Sequence, residues 1–207
     1  MTAESAPRPR GPWDAVVVGS GPNGLSAAIR LAQEGARVLV LEAKATPGGG
    51  MRSGELTLPG YVHDLCSACH PTGVLSPFWR TLPLAAHGLR WVFPAASVAH
   101  PLDDQPAVLL SRDLDETAAN LGADAEAYKR LCKPFVKRTE ALLGDALAPL
   151  RWPQHPLTLA RFGLRAMLPA TTLARTAFRG ERARALLAGN AGHSVLPLEQ
   201  PVSGALG

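Results

Sequence analysis

A glycine-rich turn between two apolar runs constrains the fold of this chain more than any other feature. The run Ala15–Val18 (AVVV) is typical of a short strand that is buried on both faces. The turn Gly19–Gly24 (GSGPNG) follows it, and helix-forming residues then extend from Leu25 to Glu34. Gly35 ends that helix, and Val38–Leu41 (VLVL) is a second buried strand. The pattern predicts one complete βαβ unit.

The G-x-G-x-x-G sequence in this position is typical of a dinucleotide-binding turn. Gly19 permits a tight turn, Gly21 lets the backbone approach a pyrophosphate, and Gly24 lets the helix pack closely on the strand. The helix N-terminus offers unpaired N–H groups and a partial positive charge to phosphates. Glu42 can accept hydrogen bonds from a ribose diol, and its charge disfavours a 2′-phosphate. The predicted dinucleotide-binding residues are therefore Gly19, Ser20, Gly21, Pro22, Asn23, Gly24 and Glu42.

A second glycine-rich segment follows the acid. Residues 19–42 fit the pattern G-x-G-x-x-G-x3-A-x2-L-x3-G-x2-V-x3-E, and residues 48–53 read GGGMRS. Together they resemble the flavin amine oxidases and bacterial phytoene desaturases, whose second segment reads G-G-R-x-x-S/T. Gly50 replaces the family's arginine, the G-x-x-x-D at 60–64 matches, and Cys66 replaces a common glycine. The resemblance implies FAD as the cofactor, with further contacts from Ala43, Gly48, Gly49, Gly50, Arg52 and Ser53.

The remainder of the chain contains the segments AHPLDD at 99–104 and AGHS at 191–194. With them it resembles the desaturase-related branch named after pyridine nucleotide-disulphide oxidoreductase domain-containing protein 2. This implies an α/β fold: a Rossmann-like FAD-binding βαβ unit with an incomplete sheet, plus a mixed, mainly helical substrate region. We expect a flexible tail over 1–12, the N-terminal part of the FAD-binding domain over 13–88, and a partial substrate or cap region over 89–207. Family members are more than twice as long, so we expect an N-terminal fragment or one half of a split enzyme with a separate C-terminal chain.

The implied function is that of an FAD-dependent dehydrogenase or desaturase acting on an apolar, isoprenoid or lipid-like substrate. The electron acceptor and the catalytic base stay open; His63, Asp64 and His70 are candidates because they lie near the flavin-side motif, and His193 is a weaker one. One alternative is an NAD-dependent dehydrogenase. Another is a non-catalytic nucleotide-binding protein that needs a partner chain.

The segment from Cys66 to His70 reads C-x-x-C-H, the attachment pattern of c-type haem. Haem attachment requires export, and the N-terminal residues do not have the pattern of an export signal. With His63 the segment offers four ligands to zinc, but these crowd together where structural zinc sites use two distant pairs. A redox-active thiol pair is the remaining alternative. We interpret the pattern as chance and predict no metal site.

Charge and composition indicate the surroundings of the protein. Seven arginines between Arg151 and Arg184 face a single acid, Glu181, which is typical either of solvated helix faces or of contact with anionic lipid. In the second case Arg161, Arg165, Arg175 and Arg179 would meet head groups in a peripheral membrane contact. Three cysteines favour a reducing compartment, so we expect a cytoplasmic protein, and we do not expect it to bind nucleic acid.

Beyond the βαβ unit, the pattern predicts strands over 89–93, 97–101 and 106–111, the last two forming a hairpin through Asp103 and Asp104. A helix of about 20 residues is expected from Asp124, kinked at Pro134. Residues 156–190 predict two or three amphipathic helices that are broken at Pro169 and Gly180.

Overall fold

The computed structural model describes residues 11–206, so most of the predicted tail lies outside the described residues. The chain divides into two compact units that meet in the sequence between Leu89 and Arg90. The first unit contains the glycine-rich turn, and the second contains most of the helices. The functional assignment of the two regions stays a prediction.

The first unit begins with the predicted βαβ arrangement. Strand β1 (Ala15–Val18) pairs in parallel with β2 (Val38–Leu41), and helix α1 (Pro22–Gln33) connects them. The helix begins three residues earlier than predicted, because Pro22 occupies its first turn, where the absent N–H costs nothing. Gly35 follows the helix with a φ of 88°, the left-handed conformation that ends helices.

The expectation that these strands are buried on both faces is wrong for the described residues. Val17 faces α1, but the side chains of Val16 and Val18 are 52% and 82% exposed, and Leu41 is also exposed. The reason is that this sheet has only two strands, β1 and β2, in the part of the chain that the structure describes. Helix α1 covers one face, and on the other face Val16, Val18 and Leu41 stay exposed among the described residues.

The first unit continues with small elements. Strands β3 (Ser53–Glu55) and β4 (Val62–Asp64) form an antiparallel pair, in which Ser53 lies opposite Asp64. Helix α2 (Pro71–Leu75) follows, and short 3₁₀ turns lead to the end of the unit.

The second unit begins with a hairpin of β5 (Val98–Leu102) and β6 (Gln105–Leu110), which confirms the predicted turn at Asp103 and Asp104. Its register shifts between His100 and Leu102, where Pro101 has no N–H to donate to the ladder. The predicted strand over 89–93 does not form. Those residues have no partner strand, and the guanidinium of Arg112 lies 3.9 Å from the ring centre of Phe93 instead.

Six helices follow in the described part of the second unit. They are α3 (Leu114–Ala119), α4 (Ala125–Val136), α5 (Thr139–Ala146), α6 (Pro156–Ala166), α7 (Ala170–Ala177) and α8 (Glu181–Ala191). The breaks at Pro169 and Gly180 are confirmed, because these residues immediately precede α7 and α8.

The single kinked helix expected from Asp124 is instead two helices, α4 and α5. Pro134 lies inside α4, which ends two residues later. The hydroxyl of Thr139 donates to the carbonyls of Phe135 and Val136 at 3.1 and 3.0 Å. These side-chain bonds satisfy carbonyls that a continuous helix would have paired through its backbone, so the chain changes direction without leaving them unpaired.

The hydrophobic core belongs to the second unit. Its centre is formed by α7, α8 and β6, with Phe178, Leu186 and Val108 almost completely buried. The ring of Tyr128 packs on Phe178 with 6.5 Å between centroids, and burial raises the pKa of the Tyr128 hydroxyl. In the described part of the first unit, only Ala28 and Ser20 are buried, which makes that unit the less consolidated of the two.

Candidate dinucleotide site

The glycine-rich turn lies where β1 ends and α1 begins. Gly19 has a φ of 96°, and its N–H donates to the carbonyl of Leu41 at 2.7 Å, which joins the ends of β1 and β2. A Cβ atom at Gly24 would collide with the carbonyl oxygen of Gly19. Only glycine at this position allows the first turn of α1 to lie directly against the strand end.

The N-terminus of α1 is open toward this turn. Among the described residues, no side chain caps the helix and no acid lies in its first turn. The N–H groups of that turn and the positive end of the helix dipole are therefore available to an anion. This is the arrangement by which helix N-termini hold pyrophosphates.

Glu42 is fixed at the edge of the same turn. One oxygen of its carboxylate accepts from the Ser20 N–H at 2.9 Å and from the Ser20 hydroxyl at 2.5 Å, and the other accepts from the Lys44 N–H at 3.0 Å. The bonds from Ser20, with the one from Lys44, lower the pKa of Glu42 to about 2. The group is therefore an oriented anion at neutral pH, suited to accept from ribose hydroxyls and to repel a 2′-phosphate.

The second glycine-rich segment crosses over the first. The Gly48 N–H donates to the Ser20 carbonyl at 3.0 Å. Gly48 and Gly49 have φ values of 120° and 58°, and a Cβ at Gly49 would lie 2.8 Å from the Cα of Gly21. Gly49 therefore cannot carry a side chain where its backbone passes that of Gly21.

The remaining residues of that segment support it. The Nε of Arg52 donates to the Gly49 carbonyl at 2.9 Å, which holds the loop in place. The Ser53 hydroxyl lies 3.4 Å from an oxygen of Asp64. Ala43 is exposed beside Glu42. The structure thus brings the turn, Glu42 and the loop together, while their roles toward a cofactor stay predictions.

The candidate catalytic side chains are not gathered around one point. His63 and Asp64 are neighbours on β4, so they extend to opposite faces of the hairpin. The His63 Nε2 lies 2.8 Å from the Thr57 hydroxyl. His70 precedes α2, and its carbonyl accepts from Gly73 and Val74. His193 belongs to the other unit.

The two thiols of the C-x-x-C-H segment are exposed and unpaired. Cys66 lies beside the second glycine-rich segment: a Cβ at Gly50 would be 3.8 Å from its sulfur. Within residues 11–206 no group of three or more His, Cys, Asp or Glu side chains is arranged to hold a metal ion.

The sequence did not predict one contact, made to helix α1, that supports the turn. The indole Nε1 of Trp79 donates to the Ser26 hydroxyl on α1 at 2.7 Å, and that hydroxyl donates to the Pro22 carbonyl at 2.7 Å. The bond joins residues 53 positions apart, so no local pattern announces it. The only available signal is a tryptophan, whose N–H usually finds a partner when half-buried.

The arginine-rich stretch has internal tasks that its composition hides. Arg182 donates to the carbonyls of Asn120, Pro106 and Ala107, and Arg184 donates to that of Phe178. An Nη atom of Arg165 is buried. Arg182 and Arg184 therefore serve the fold of the second unit through these bonds, whereas the buried Nη1 of Arg165 makes no hydrogen bond within the described residues. No helix in the described part of the chain is long and apolar enough to span a membrane.

A parallel strand–helix–strand unit, with an open helix N-terminus and an oriented acid at the second strand end, defines a Rossmann-like dinucleotide-binding domain. Residues 17–82 match the NAD(P)-binding Rossmann-like domain family. The all-trans-zeta-carotene desaturase of Myxococcus xanthus is 56% identical over 67 residues, which cover 31% of this chain and 13% of that protein. One of the chains of limonene dehydrogenase from Castellaniella defragrans is 28% identical over 134 residues, covering 63% and 24% respectively.

A solved structure of a putrescine oxidase mutant has the same fold over 94% of this chain and 40% of its own, with a TM-score of 0.54 and 20% identity. Over the residues that these comparisons cover, the chain is similar to carotenoid desaturases in sequence and to an amine oxidase in fold. The predicted Rossmann-like α/β fold is thereby confirmed. The chain spans about a quarter or less of the length of these two curated relatives.

Proposed function

We propose that this chain forms the cofactor-binding part of an FAD-dependent oxidoreductase that dehydrogenates an apolar, isoprenoid-like substrate. The observation that carries the proposal is the junction of Ser20, Glu42 and Gly48 with the turn between β1 and α1. A dinucleotide needs room for its pyrophosphate, N–H groups at a helix N-terminus, and an acid that accepts from its ribose diol. The two crossing glycine-rich segments, the start of α1 and Glu42 meet these three requirements.

The residues that would hold the cofactor follow from this geometry. The N–H groups at the start of α1 would receive the pyrophosphate, and Glu42 would accept from the adenosine ribose hydroxyls. Gly49 would leave room for the backbone to pass beside them, and Arg52 would hold that loop in place. The bound flavin supplies the acceptor for a hydride from the substrate.

The apolar substrate is proposed from the relatives. The carotene desaturase and the limonene dehydrogenase are named for isoprenoid substrates. His63, Asp64 and His70 stay the candidate proton acceptors, because all three lie in the unit that carries the turn. We also propose a peripheral membrane contact, since apolar isoprenoids partition into bilayers.

The open face of the β1–β2 sheet supports a further part of the proposal. Exposed valines on a strand require a cover in the working enzyme, because a long apolar sheet face in water favours association. We propose that further polypeptide, in the same chain or in a partner chain, supplies that cover.

The test is a titration of the purified chain with FAD, NAD⁺ and NADP⁺. Calorimetry measures the binding, and flavin absorption after gel filtration shows whether FAD stays bound. We expect FAD to bind most tightly, and Glu42→Gln to weaken it about tenfold or more, because a charge-assisted hydrogen bond is lost. Glu34→Gln is the matched control, since Glu34 is an exposed acid that pairs with Arg30 away from the turn.

Each other outcome of the titration has a definite meaning. Tighter binding of NAD⁺ than of FAD would contradict the proposed flavoenzyme and favour the alternative of an NAD-dependent dehydrogenase. Binding of FAD with no loss in Glu42→Gln would contradict the role of the acid in binding the ribose. A folded chain that binds none of the three nucleotides would overturn the proposal.

A further inference from the structure

A groove in the second unit is independent of the dinucleotide turn. It lies between the end of α4, the start of α5 and the first turns of α6, and it encloses about 330 Å³. Its lining combines apolar residues with cations: Pro134, Phe135 and Leu157 are apolar, and Lys137, Arg138 and Arg161 carry positive charge. Phe135 is held by edge-to-face packing on Phe162, with 5.6 Å between ring centroids. We call this site the cationic groove.

The charges in the cationic groove are of one sign. Lys137, Arg138 and Arg161 line it, and none of its described lining residues is an acid. Arg138 is oriented by its Nη1, which donates to the hydroxyl of the buried Thr158 at 3.0 Å. Three cations that converge in this way repel each other unless an anion lies among them.

The nearby Asp145 does not neutralise the cationic groove, because its carboxylate is used inside the fold. It accepts from the N–H groups of Gln154 and His155 at 2.9 and 2.6 Å. Its side chain is 1% exposed. These bonds also tie the loop 147–155 between the end of α5 and the start of α6.

Large apolar side chains are exposed on α6, which lines the cationic groove, and in the loop that precedes this helix. On α6, Leu157 and Leu164 are 84% and 78% exposed, and Arg161 lies between them on the same helix face. In the tied loop, Leu150 and Trp152 are also exposed, and Arg151 separates them. A helix face and loop that mix leucine, tryptophan and arginine have the composition of a segment lying in a membrane interface.

We propose that the cationic groove binds the phosphate headgroup of an anionic phospholipid, while Leu157, Leu164 and Trp152 enter the surface of the bilayer. A free phosphate would satisfy the three cations but would leave the apolar side chains in water. A lipid satisfies both with one ligand, and it accounts for the charge and the exposed leucines together.

The membrane contact then lies away from most of the arginines that the sequence indicated. Arg165 is partly buried, while Lys137 and Arg138 lie outside the arginine-rich stretch. Of the four arginines expected at head groups, Arg161 alone lines the cationic groove. The inference rests on the proposed function only for the existence of a membrane contact, and the cationic groove does not involve the cofactor.

The test is co-sedimentation of the full chain with vesicles of phosphatidylcholine, alone or with anionic phosphatidylglycerol. We expect binding to the mixed vesicles, weakened by added salt. Lys137→Gln with Arg161→Gln should lower partitioning about 25-fold, since each charge near an anionic surface contributes about fivefold. Leu157→Ser with Leu164→Ser should lower it at least as much, because apolar insertion is lost.

Arg175→Gln is the matched control, because Arg175 is exposed on α7 and does not line the cationic groove. It should change partitioning by less than about twofold. The inference would be overturned if glycerol phosphate competed fully with the vesicles and the leucine variants had no effect. The ligand of the cationic groove would then be a soluble anion and not a lipid. Absence of vesicle binding would also overturn it. FAD binding measured in the same samples shows whether the proposed function fails with it or separately.

Discussion

At the scale of single residues, the candidate site depends on glycines at positions where a side chain would collide with the neighbouring backbone. Gly24 faces the carbonyl oxygen of Gly19 and the side chain of Val17, so a methyl group there must displace α1 from β1. Gly50 lies two residues after Gly48, yet a Cβ at Gly50 would only contact Cys66 at an ordinary 3.8 Å. Gly24 of the turn and Gly50 of the second glycine-rich segment therefore differ in their tolerance for a side chain, for a reason that their spacing does not reveal.

We expect Gly24→Ala to destabilise the first unit by about 2 kcal/mol or more through overpacking, and to weaken FAD binding with it. Gly50→Ala should leave the stability of the first unit nearly unchanged, since the added methyl group would meet only the Cys66 side chain at an ordinary contact distance. Thermal unfolding and flavin titration of the two variants measure these effects. Equal losses in both variants would contradict the geometry of the turn.

Glu42 gives a second prediction, on pH dependence. Its pKa is lowered to about 2 by the bonds from Ser20 and Lys44, whereas an unfolded glutamate titrates near 4.5. The stabilisation is therefore complete above pH 4.5 and disappears as the pH falls toward 2. The stability difference between the wild type and Glu42→Gln should be largest at neutral pH and should shrink below pH 4. Urea unfolding at several pH values tests this, and a constant difference would contradict it.

At the scale of elements, the second unit is organised by helix starts. Asp124 is 3% exposed, and its carboxylate accepts from the N–H groups of Arg179 and Gly180 at the start of α8, 2.6 Å at the shortest. Asp113 caps α3 by accepting from Asp115 and Glu116, but at the surface. The same residue type thus performs a long-range and a local task.

We expect Asp124→Ala to destabilise the second unit by about 2 kcal/mol, because two part-buried N–H groups lose the buried carboxylate that they bond to. Asp113→Ala should cost about 1 kcal/mol, the ordinary loss of an exposed cap. Chemical denaturation of both variants measures the difference. If Asp113→Ala proved the more damaging of the two, burial would not be what makes the hydrogen bonds of Asp124 strong.

At the scale of the whole molecule, the open sheet face distinguishes the first unit. Val16 and Val18 are exposed on the side opposite α1, so replacing them removes little burial. We expect Val16→Thr with Val18→Thr to keep the fold and FAD binding while lowering self-association and binding of a hydrophobic dye. Sedimentation velocity and dye fluorescence test this. Unfolding of the double variant would show that the two valines are packed rather than exposed.

The sequence alone was sufficient for the βαβ unit, because its signals are local. Glycines at fixed spacing, two apolar runs and an acid at the second strand end describe one chain segment without reference to the rest. The breaks at Pro169 and Gly180 were equally legible, since both residues act on their own backbone. The prediction of a strand over 89–93 was wrong because a strand requires a partner strand, and the composition of a segment does not show whether a partner is present.

What only the tertiary structure decided is where side chains from distant positions meet. The burial of β1 and β2 depends on what lies over the sheet, and a run of valines looks the same whether one face or two are covered. The seven arginines looked equivalent, yet Arg182 and Arg184 bind internal carbonyls while Arg161 joins Lys137 and Arg138 in the cationic groove. Backbone conformation at glycines and prolines is determined locally, so it can be predicted from the sequence. The environment of a side chain depends on how distant parts of the chain pack together, so only the tertiary structure shows it.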